Sequence, residues 1–560
     1  MAYVVTQNCC NDATCVAVCP VNCIHPTPEE REYQRTEMLY IDAGSCIDCG
    51  ACADVCPVDA IVPDDALTER TARYLDINAE YFAAHPRKEP PGAHVQPGPP
   101  VTALSSRPDT VTPDDETPLA PLRVAIVGSG PSAFYAAEEL FTTPRLDVEV
   151  TMFERLPVAG GLVRFGVAPD HASTKSVTKV FDRTARRDGF TFLLDVEVGR
   201  DVTTEELLDH HHAVLYASGA SDDRRLGIAG EDLPGSCAAR EFVAWYNGHP
   251  DYADATFDLS PRRAVVIGNG NVALDVARIL VSDPAVLRRT DIADHALAAF
   301  EGSDIEEVVV LGRRGPEFTA ATTPELLALD SLPGIDVVVE GPVYLDASSS
   351  TKTRLLAEYA ARPTDPANKR IILRFDTTPL ELLGSGRVEK VRVAATSTGE
   401  VSEFDAGLVL RSIGYRGRPI DGLPYDVKSG TVPNSLGRVQ DPDAGSLRRG
   451  LYVAGWIKRG PTGVIGTNRY CAGETVRSII EDHRGGRLVT PMVDARALHA
   501  LILQRRPSLI DGDGWWAIDR HELERGRHEQ RTRVKLVDRR EAAAIAHAVM
   551  EISPPQGLLN

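Results

Sequence analysis

The sequence predicts an α/β protein with two doubly wound dinucleotide-binding units and a small N-terminal α+β unit. Two observations predict the larger units, because segments 122–133 and 263–273 each join a short apolar strand to a glycine-rich turn and a helix. A third observation predicts the small unit: nine of the eleven cysteines precede residue 57. In a long chain, such clustering favours metal ligation over disulfide bonds.

Chain length and net charge indicate the number of domains and the class of binding partner. The 560 residues are too many for one hydrophobic core and, at about 150 residues per domain, suggest three or four domains. The net charge of −20 argues against nucleic acid as the main partner. The sequence has no apolar run of membrane-spanning length, and its first residues lack the pattern of a secretory signal. We therefore expect a cytoplasmic protein with no membrane span and no nucleic-acid partner.

Two cysteine runs share one frame. Residues 46–57, CIDCGACADVCP, have the complete C-x2-C-x2-C-x3-C-P pattern of two-cluster bacterial ferredoxins. Residues 9–20, CCNDATCVAVCP, repeat it with Asp12 in place of the second cysteine. In this pattern the fourth cysteine of each run binds the other cluster. The predicted ligands are Cys46, Cys49, Cys52 and Cys19 for a [4Fe-4S] cluster, and Cys9, Cys15, Cys56 and Asp12 for a second cluster.

The second cluster is predicted to differ from the first. Three thiolates and one carboxylate hold a fourth iron weakly, so we expect a [3Fe-4S] cluster or a [4Fe-4S] cluster with a labile iron. Residues 3–24, with the additional Cys23, resemble the seven-iron ferredoxins. Cys10 and Cys23 are predicted to be buried or near-cluster thiols that do not bind iron. A one-residue slip that makes Cys10 a ligand instead of Cys9 stays open.

A linker is predicted between the cysteine-rich unit, residues 1–62, and the first dinucleotide unit. Within residues 63–120, one short helix is expected around residues 66–82. The Pro-rich, polar stretch that follows predicts a partly extended tether.

The first dinucleotide unit begins with the apolar strand Leu122–Val127. Gly128, Gly130 and Ala133 then complete a G-x-G-x-x-[GA] turn that leads into a helix. A second apolar strand ends in Glu154, at about the distance where such folds place the acid that binds a ribose. This order of elements predicts a bound dinucleotide whose phosphates lie at the helix N-terminus.

The second dinucleotide unit differs in its charge. Its turn has the sequence Gly268-Asn269-Gly270-Asn271-Val272, and the next strand leads to Arg313 and Arg314 instead of an acid. A ribose that carries a 2′-phosphate needs cationic donors, preferably bidentate ones. The arginine pair therefore predicts NADP at this unit.

Several long motifs resemble the adrenodoxin-reductase family of NADPH–ferredoxin reductases: VRFGVAPDH (163–171), GNGNVALDVARIL (268–280), LGRRGP (311–316) and AGWIKRGPTGVIGT (454–467). The resemblance implies an FAD domain, residues 121–220 and 405–560, that is interrupted by an NADPH domain, residues 221–404. The strand near Gly407 is expected to mark the return to the FAD domain. The FAD contacts implied by the resemblance are Ser132, Ala133, Glu154, Leu162, Val198, Trp456, Gly463, Val464 and Ile465, with Gly463 also beside the nicotinamide.

Two polar residues are candidates for handling protons, His171 and Glu325. At the position of Glu325 the family typically begins a helix with Glu-x-x-Glu, but this chain has Ala328 in place of the second acid. A scheme that pairs His171 with that acid is therefore in doubt, whereas Glu325 is still expected to contact NADPH.

Hydride carries two electrons and an iron–sulfur cluster accepts one, so a flavin is required between them. We therefore expect an oxidoreductase that transfers electrons from NADPH through FAD to its own clusters or to an external ferredoxin. A ferredoxin or a cytochrome-type protein, such as a monooxygenase component, would accept them. Two alternatives stay open: a flavin oxidoreductase of the glutamate-synthase small-subunit kind, and an iron–sulfur redox sensor without enzymatic activity.

Overall fold

A computed structural model of the chain describes residues 2–85, 121–330, 332–341, 343–346, 349–493 and 495–552. The predicted Pro-rich tether, from residue 86 onward, lies outside the described residues. No helix in the described ranges combines the length and apolar character that a bilayer crossing requires.

The N-terminal unit, residues 2–85, contains two small antiparallel pairs of strands and three helices. Its strands are β1 (Tyr3–Val5), β2 (Ile24–His25), β3 (Tyr40–Ile41) and β4 (Ile61–Pro63), and its helices are α1 (Thr14–Val18), α2 (Ala51–Asp54) and α3 (Arg73–Ala84). β1 pairs with β4, and β2 pairs with β3. The left-handed residues Ala13 (φ 57°) and Gly50 (φ 76°) precede α1 and α2, so the repeated cysteine frame produces a repeated turn.

Helix α3 packs as part of the N-terminal unit. The sequence prediction assigns it to the linker, residues 63–120. The side chain of Asn78 accepts hydrogen bonds from the Ile41 and Val5 amides, at 2.9 and 3.4 Å, and donates to the Val5 carbonyl at 3.0 Å. These bonds join α3 to both pairs of strands. The sequence predicts this helix around residues 66–82, but it spans Arg73–Ala84. A separate 3₁₀ turn at residues 64–66 precedes it.

The rest of the chain alternates strands and helices. Its strands are β5 (Leu122–Val127), β6 (Val148–Glu154), β7 (Phe190–Leu194), β8 (Ala213–Tyr216), β9 (Asp222–Asp223), β10 (Ser236–Ala238), β11 (Arg263–Ile267), β12 (Glu307–Leu311), β13 (Ile335–Glu340), β14 (Lys369–Arg374), β15 (Thr377–Leu383), β16 (Lys390–Ala395), β17 (Val401–Asp405), β18 (Leu408–Arg411), β19 (Tyr415–Arg416), β20 (Asn434–Ser435), β21 (Arg438–Gln440) and β22 (Leu447–Val453). Its helices are α4 (Pro131–Thr142), α5 (Gly161–Phe165), α6 (Ala172–Lys175), α7 (Thr178–Ala185), α8 (Thr204–His210), α9 (Ala239–Tyr246), α10 (Asn271–Val281), α11 (Pro284–Leu287), α12 (Asp294–Glu301), α13 (Thr323–Leu329), α14 (Thr351–Ala360), α15 (Trp456–Arg459), α16 (Thr467–Arg484), α17 (Ala495–Arg505), α18 (Gly512–His528) and α19 (Arg539–Ile552).

The first large sheet has seven strands in the order β20-β21-β22-β8-β5-β6-β7. Its central strands are parallel, and the apolar run of β5 is buried between β6 and β8. The chain leaves this sheet after β8 and returns to it at β20, more than two hundred residues later. One unit is therefore inserted into the other, as the fold prediction requires.

The second large sheet has six parallel strands in the order β10-β18-β11-β12-β14-β13. β18 corrects one predicted boundary: it was expected to begin the return to the first unit at residue 405, but it pairs with β10 and β11. The buried residues Leu408, Val409 and Leu410 would suit the middle of either parallel sheet, so their composition does not identify the sheet. The antiparallel strands β15, β16 and β17, which precede β18 in the chain, form a separate three-stranded sheet.

Helix α18, in the C-terminal part of the chain, carries a buried charge. The carboxylate of Glu522 is fully buried and accepts both guanidinium nitrogens of Arg164, at 2.9 and 2.5 Å, a nitrogen of Arg533 at 2.7 Å and the Leu536 amide at 2.7 Å. Burial alone would raise the pKa of Glu522, but the two arginines lower it to about 2. This carboxylate joins the C-terminal helices to α5 of the first unit.

We expect Glu522→Ala to lower the free energy of unfolding by about 3–5 kcal/mol, because it leaves the buried guanidinium of Arg164 without its partner. The folded-state pKa lies below the ordinary value of 4.5, so this stabilisation is complete above about pH 4.5 and is lost as the pH falls toward 2. Thermal unfolding at neutral pH should separate this variant from Glu524→Ala, which changes an exposed residue of the same helix. Equal melting temperatures would contradict the role of Glu522.

Candidate functional site

The first glycine of each predicted turn meets the end of a neighbouring strand. Gly128 has a φ of 104°, and a Cβ there would lie 2.6 Å from the carbonyl oxygen of Ala217, just after β8. Gly268 has a φ of 115°, and a Cβ there would lie 2.1 Å from the carbonyl oxygen of Ser412, just after β18. Both positions combine a left-handed backbone with a contact that admits only hydrogen. The two units therefore build the same turn from the same geometry.

Both turns leave the amides at a helix N-terminus without a side-chain cap. Gly130 precedes α4 and Gly270 precedes α10, each with extended backbone and no capping hydrogen bond. Uncapped amides and the helix dipole favour an anion such as a pyrophosphate. At the first unit, Gly161 also approaches closely, since its Cβ would lie 2.7 Å from the Cα of Gly130. The backbone observed here suits a dinucleotide at both places.

Ser132 fastens α4 to a distant loop. Its hydroxyl donates to Oδ1 of Asn468 at 2.9 Å, and Nδ2 of Asn468 donates to the carbonyls of Val464 and Ile465, at 3.3 and 3.1 Å. Gly463 has a φ of 81°, and the Thr467 hydroxyl accepts the Val464 amide at 3.1 Å. The structure thus brings Ser132 together with the predicted segment 463–465, although the two are more than three hundred residues apart.

Glu154 ends β6 beside the first turn. Its Oε2 accepts the amide and hydroxyl of Ser129, at 3.1 and 2.7 Å, and its Oε1 accepts the Leu156 amide at 3.0 Å. Burial raises the pKa of this carboxyl. Glu154 therefore supports the turn itself and lies where a ribose would follow the pyrophosphate.

The remaining residues predicted at the first unit differ in exposure. Ala133 is fully buried in α4 and lets this helix pack closely. Leu162 follows the close glycine pair and is 39% exposed, which is unusual for leucine within a packed helix. Val198 is half-buried at a small bridge with Val202.

Trp456 begins α15 and is half-buried. Its ring stacks on Tyr415 at 5.5 Å between centroids, and its Nε1 donates to the Thr462 carbonyl at 3.2 Å. The indole thus joins the end of the inserted unit to the loop before Gly463.

In the second unit, the polar residues of the turn position a second helix. Oδ1 of Asn271 accepts the Thr322 amide at 2.8 Å, and Asn269 accepts the Ala320 amide at 3.4 Å. Thr322 in turn caps α13 by accepting the Glu325 amide. Val272 packs against the apolar core behind the turn. Asn269 and Asn271 therefore place Glu325 near the N-terminus of α10.

Arg313 and Arg314 are both exposed after β12. The guanidinium of Arg314 lies 4.9 Å from the ring centroid of Phe318. Within the described ranges, neither arginine forms an ion pair with a carboxylate of the protein. Two exposed cations at this edge of the sheet suit a phosphate group.

A polar cluster joins the two units at His171 and Glu325. A ring nitrogen of His171 and one carboxylate oxygen each of Asp275 and Glu325 all lie within 4.8 Å of one another. Arg278 forms ion pairs with Asp275 and with Asp170, and one of its nitrogens lies 3.0 Å from Nε2 of His171. A guanidinium can only donate, so Nε2 is the acceptor in this contact, and Nδ1 lies 3.9 Å from Asp275.

Asp275 and Arg278 are the site residues that sequence reasoning missed. They lie three residues apart on α10 and form an ion pair on one face of the helix. The acid expected at position 328 is absent from α13, but α10 supplies a carboxylate beside His171. The i,i+3 spacing in the motif 271–281 is the signal that could have found them.

The N-terminal unit brings together each predicted set of iron ligands. Cys19, Cys46, Cys49 and Cys52 line one cavity, which also contains Tyr3 and Ile47. Sγ of Cys19 lies 3.4 Å from Sγ of Cys23 and accepts the Cys23 amide at 3.3 Å; together these contacts lower the pKa of Cys19 to about 6. Four thiols around one cavity suit an iron–sulfur cluster.

In the second set, Cys9, Cys15 and Cys56 lie close together, and burial raises the pKa of each thiol. The carboxylate of Asp12 accepts the Thr14 amide at 3.4 Å, bonds the Thr14 hydroxyl and lies 3.5 Å from a nitrogen of Arg469. Asp12 is therefore held by Thr14 and by a residue of the first large unit. The carboxylate at the fourth position of this predicted ligand set therefore already has two partners in the protein.

Comparison with known proteins identifies the family. Residues 122–318 match the pyridine nucleotide-disulphide oxidoreductase family, and residues 39–62 match the 4Fe-4S binding domain. A probable ferredoxin/ferredoxin–NADP reductase of Mycobacterium tuberculosis is 49% identical over 561 residues, which cover 98% of this chain and 95% of that relative. The chain belongs to the ferredoxin/ferredoxin–NADP reductase family.

Two further relatives of this reductase lack part of its length. NADPH:adrenodoxin oxidoreductase of Salvelinus fontinalis is 39% identical, and the match covers 77% of this chain and 92% of that one. The solved structure of Mycobacterium tuberculosis FprA in complex with NADPH is 45% identical with a TM-score of 0.72, and covers 76% of this reductase and 100% of FprA. These matches confirm the family predicted from the motifs and the predicted fold class.

We expect Gly128→Ala to weaken retention of the dinucleotide in this reductase, because the added Cβ meets the Ala217 carbonyl. Such overpacking costs about 1–3 kcal/mol, which corresponds to about a fivefold to 150-fold loss of affinity. Dinucleotide released by denaturation should be compared with that from Gly302→Ala, where the nearest atom to the added Cβ is 3.8 Å away. Equal dinucleotide content in the two variants would contradict the proposed contact.

Proposed function

We propose that this chain is an NADPH-dependent ferredoxin reductase that moves electrons from NADPH through FAD to iron–sulfur clusters. The observation that carries the proposal is the pairing of two uncapped glycine turns, of which only the second has the exposed pair Arg313 and Arg314. The N-terminal unit with its two thiol sets packs against both large units. An FAD, an NADPH and iron–sulfur clusters together account for all three features.

The protein residues have distinct roles toward each cofactor. FAD would occupy the turn Gly128–Ala133, with Glu154 at its ribose and Leu162, Val198 and Trp456 along its length. NADPH would occupy the turn at Gly268–Val272, with its 2′-phosphate on the arginine pair. Bound FAD supplies a carrier that takes two electrons with a hydride and releases them singly.

The fastened segment Gly463–Ile465 is proposed to face both the flavin and the nicotinamide. Its backbone is held by Asn468 and Thr467, so its amides keep a defined direction. Gly463 has a left-handed φ of 81° and no side chain to separate the two rings.

Reduction of FAD by NADPH consumes one proton besides the hydride, so a proton-handling group beside the nicotinamide is useful. We assign this role to His171 and Glu325. Asp275 is proposed as a positioning residue, since it lies beside Nδ1 of His171 and pairs with Arg278. It takes the place of the acid that is missing at position 328.

The two thiol sets are proposed to hold different clusters. Cys19, Cys46, Cys49 and Cys52 would hold a [4Fe-4S] cluster. Cys9, Cys15 and Cys56 would hold a [3Fe-4S] cluster, because the carboxylate of Asp12 is already engaged by Thr14 and Arg469. A second [4Fe-4S] cluster would require Asp12 to leave both partners.

The electrons would then pass to a ferredoxin or to a cytochrome-type protein in the cytoplasm. An optical and EPR titration of the purified protein with NADPH tests the whole proposal, and rapid mixing tests the order of events. Flavin absorbance should fall before the cluster signals change. Cluster reduction without earlier flavin reduction would overturn this order, and failure of NADPH to reduce the flavin would overturn the function.

We expect the double variant Arg313→Ala and Arg314→Ala to raise KM for NADPH about 10- to 100-fold, since a hydrogen bond to a charged group contributes about 1.5–3 kcal/mol. KM for NADH should stay unchanged, because NADH has no 2′-phosphate. Steady-state ferricyanide reduction measures both constants. Arg288→Ala, which removes an exposed arginine paired with Glu301, is the matched control. Equal effects on both nucleotides would contradict the assignment.

We expect Asp275→Asn to slow flavin reduction by less than the roughly hundredfold cost of losing an acid–base group directly. The pH profile of this step should also change, because the variant removes the Asp275 carboxyl, whose pKa burial raises well above its ordinary value. Stopped-flow reduction across a pH series measures both effects. Asp254→Asn, at an exposed position, should leave the profile unchanged. A slower rate with an unmoved profile would reduce Asp275 to a structural residue.

A further inference from the structure

The N-terminal unit meets the first large unit through backbone contact. The Gly466 amide donates to the Cys10 carbonyl at 2.6 Å. A Cβ at Gly466 would lie 2.0 Å from the carbonyl carbon of Asn11, so no side chain fits between the two loops. Gly466 directly follows the segment Gly463–Ile465 that is proposed to face the flavin. The loop before Asp12 therefore contacts the residue that directly follows the flavin segment.

Polar and aromatic contacts surround this point. One nitrogen of Arg469 donates to the Thr14 hydroxyl at 2.6 Å and lies near the carboxylate and carbonyl of Asp12. Ser176 donates to the Pro57 carbonyl at 2.6 Å. The rings of Tyr33 and Tyr470 lie 6.5 Å apart. The contact thus involves both cysteine runs of the N-terminal unit.

The two units share one apolar core at this contact. Cys10, Val58 and Ala60 are buried in the core of the first large unit. Cys9, Cys56 and Ile465 all pack against that same core. Two proposed iron ligands and one proposed flavin contact therefore lie around a single apolar cluster of side chains.

The other thiol set is partly exposed. Cys49 is exposed, and its neighbour Ile47 is 58% exposed. The acidic Asp48 beside them is exposed as well. An external acceptor protein can reach this end of the N-terminal unit, whereas the first large unit covers the other end.

We infer that the contact between Cys10–Thr14 and Gly466–Arg469 is an internal electron-transfer interface with a fixed direction. This inference rests on the proposed function. The cluster that Cys9, Cys15 and Cys56 would hold receives electrons from the flavin, and the cluster held by the set that includes Cys49 would deliver them to an external acceptor. Each transfer would oxidise the reduced flavin by one electron and reduce one ferric site by one electron, so two transfers would return the flavin to its oxidised state and release the hydride hydrogen and the added proton as two protons.

Gly466→Ala tests the interface, because the added methyl group must separate the two loops. Its backbone has an ordinary helical φ of −68°, so alanine is compatible with the local conformation. Gly302→Ala is the matched control. After rapid mixing with NADPH, flavin absorbance should fall at the same rate in both variants. Freeze-quench EPR should show that Gly466→Ala alone loses the fast phase of cluster reduction.

A second variant covers the case in which Gly466→Ala does not fold or loses its flavin. Arg469→Glu places an acid beside Asp12 and should also abolish the fast phase, whereas Arg469→Lys should retain most of it. Hydrogen exchange provides a readout independent of electron flow: the amides of residues 10–14 should exchange faster in Gly466→Ala and in Arg469→Glu than in the controls.

The possible outcomes separate the two proposals. If NADPH reduces the flavin but no cluster in the unmodified protein, the proposed function fails. If clusters are reduced in the unmodified protein and equally fast in Gly466→Ala and Arg469→Glu, the interface is overturned while the function stands. Loss of the fast phase together with faster exchange at residues 10–14 supports the interface.

Discussion

Close approach of backbone to backbone is the constraint on which the rest of this structure depends. Gly128 meets the Ala217 carbonyl, Gly268 meets the Ser412 carbonyl, and Gly466 meets Asn11, each at a distance that excludes a Cβ. The first two contacts bring helix N-termini to the place where a dinucleotide phosphate is proposed to bind. The third brings the cysteine-rich unit to the proposed flavin segment. Glycine is required at each place because a side chain would separate two groups that have to be close together.

The arginines described above differ in whether a carboxylate of the protein pairs with them. The chain carries a net charge of −20, but its key arginines differ in their partners. Arg164 is buried on Glu522, Arg278 is balanced by two aspartates, and Arg469 is held by Asp12 and Thr14. Arg313 and Arg314 alone among these lie exposed without a carboxylate in the described ranges. The paired arginines hold elements together, and the exposed pair suits a ligand phosphate.

The sequence predicts those parts of the site that depend on local order. A strand, a glycine turn and a helix adjoin along the chain, so both dinucleotide turns are visible in it, as are the two cysteine runs. The pairing of β18 is not visible, because Leu408–Leu410 would suit either parallel sheet. Asp275 was missed because its role depends on His171, about a hundred residues away. The docking of Asn11 on Gly466 likewise depends on a contact across more than four hundred residues, for which no local pattern exists.

The N-terminal unit also touches the second large unit, and the position of that contact extends the same reasoning. Glu37 accepts the Thr323 amide at 2.7 Å and forms an ion pair with Lys352. Thr323 is the first residue of α13, the helix that carries Glu325. The unit that holds the cysteines therefore contacts both the helix at the proposed nicotinamide side and the segment at the proposed flavin side. A rotation of one large unit relative to the other would have to break one of these contacts, so docking of the N-terminal unit and alignment of the two dinucleotide turns are structurally coupled.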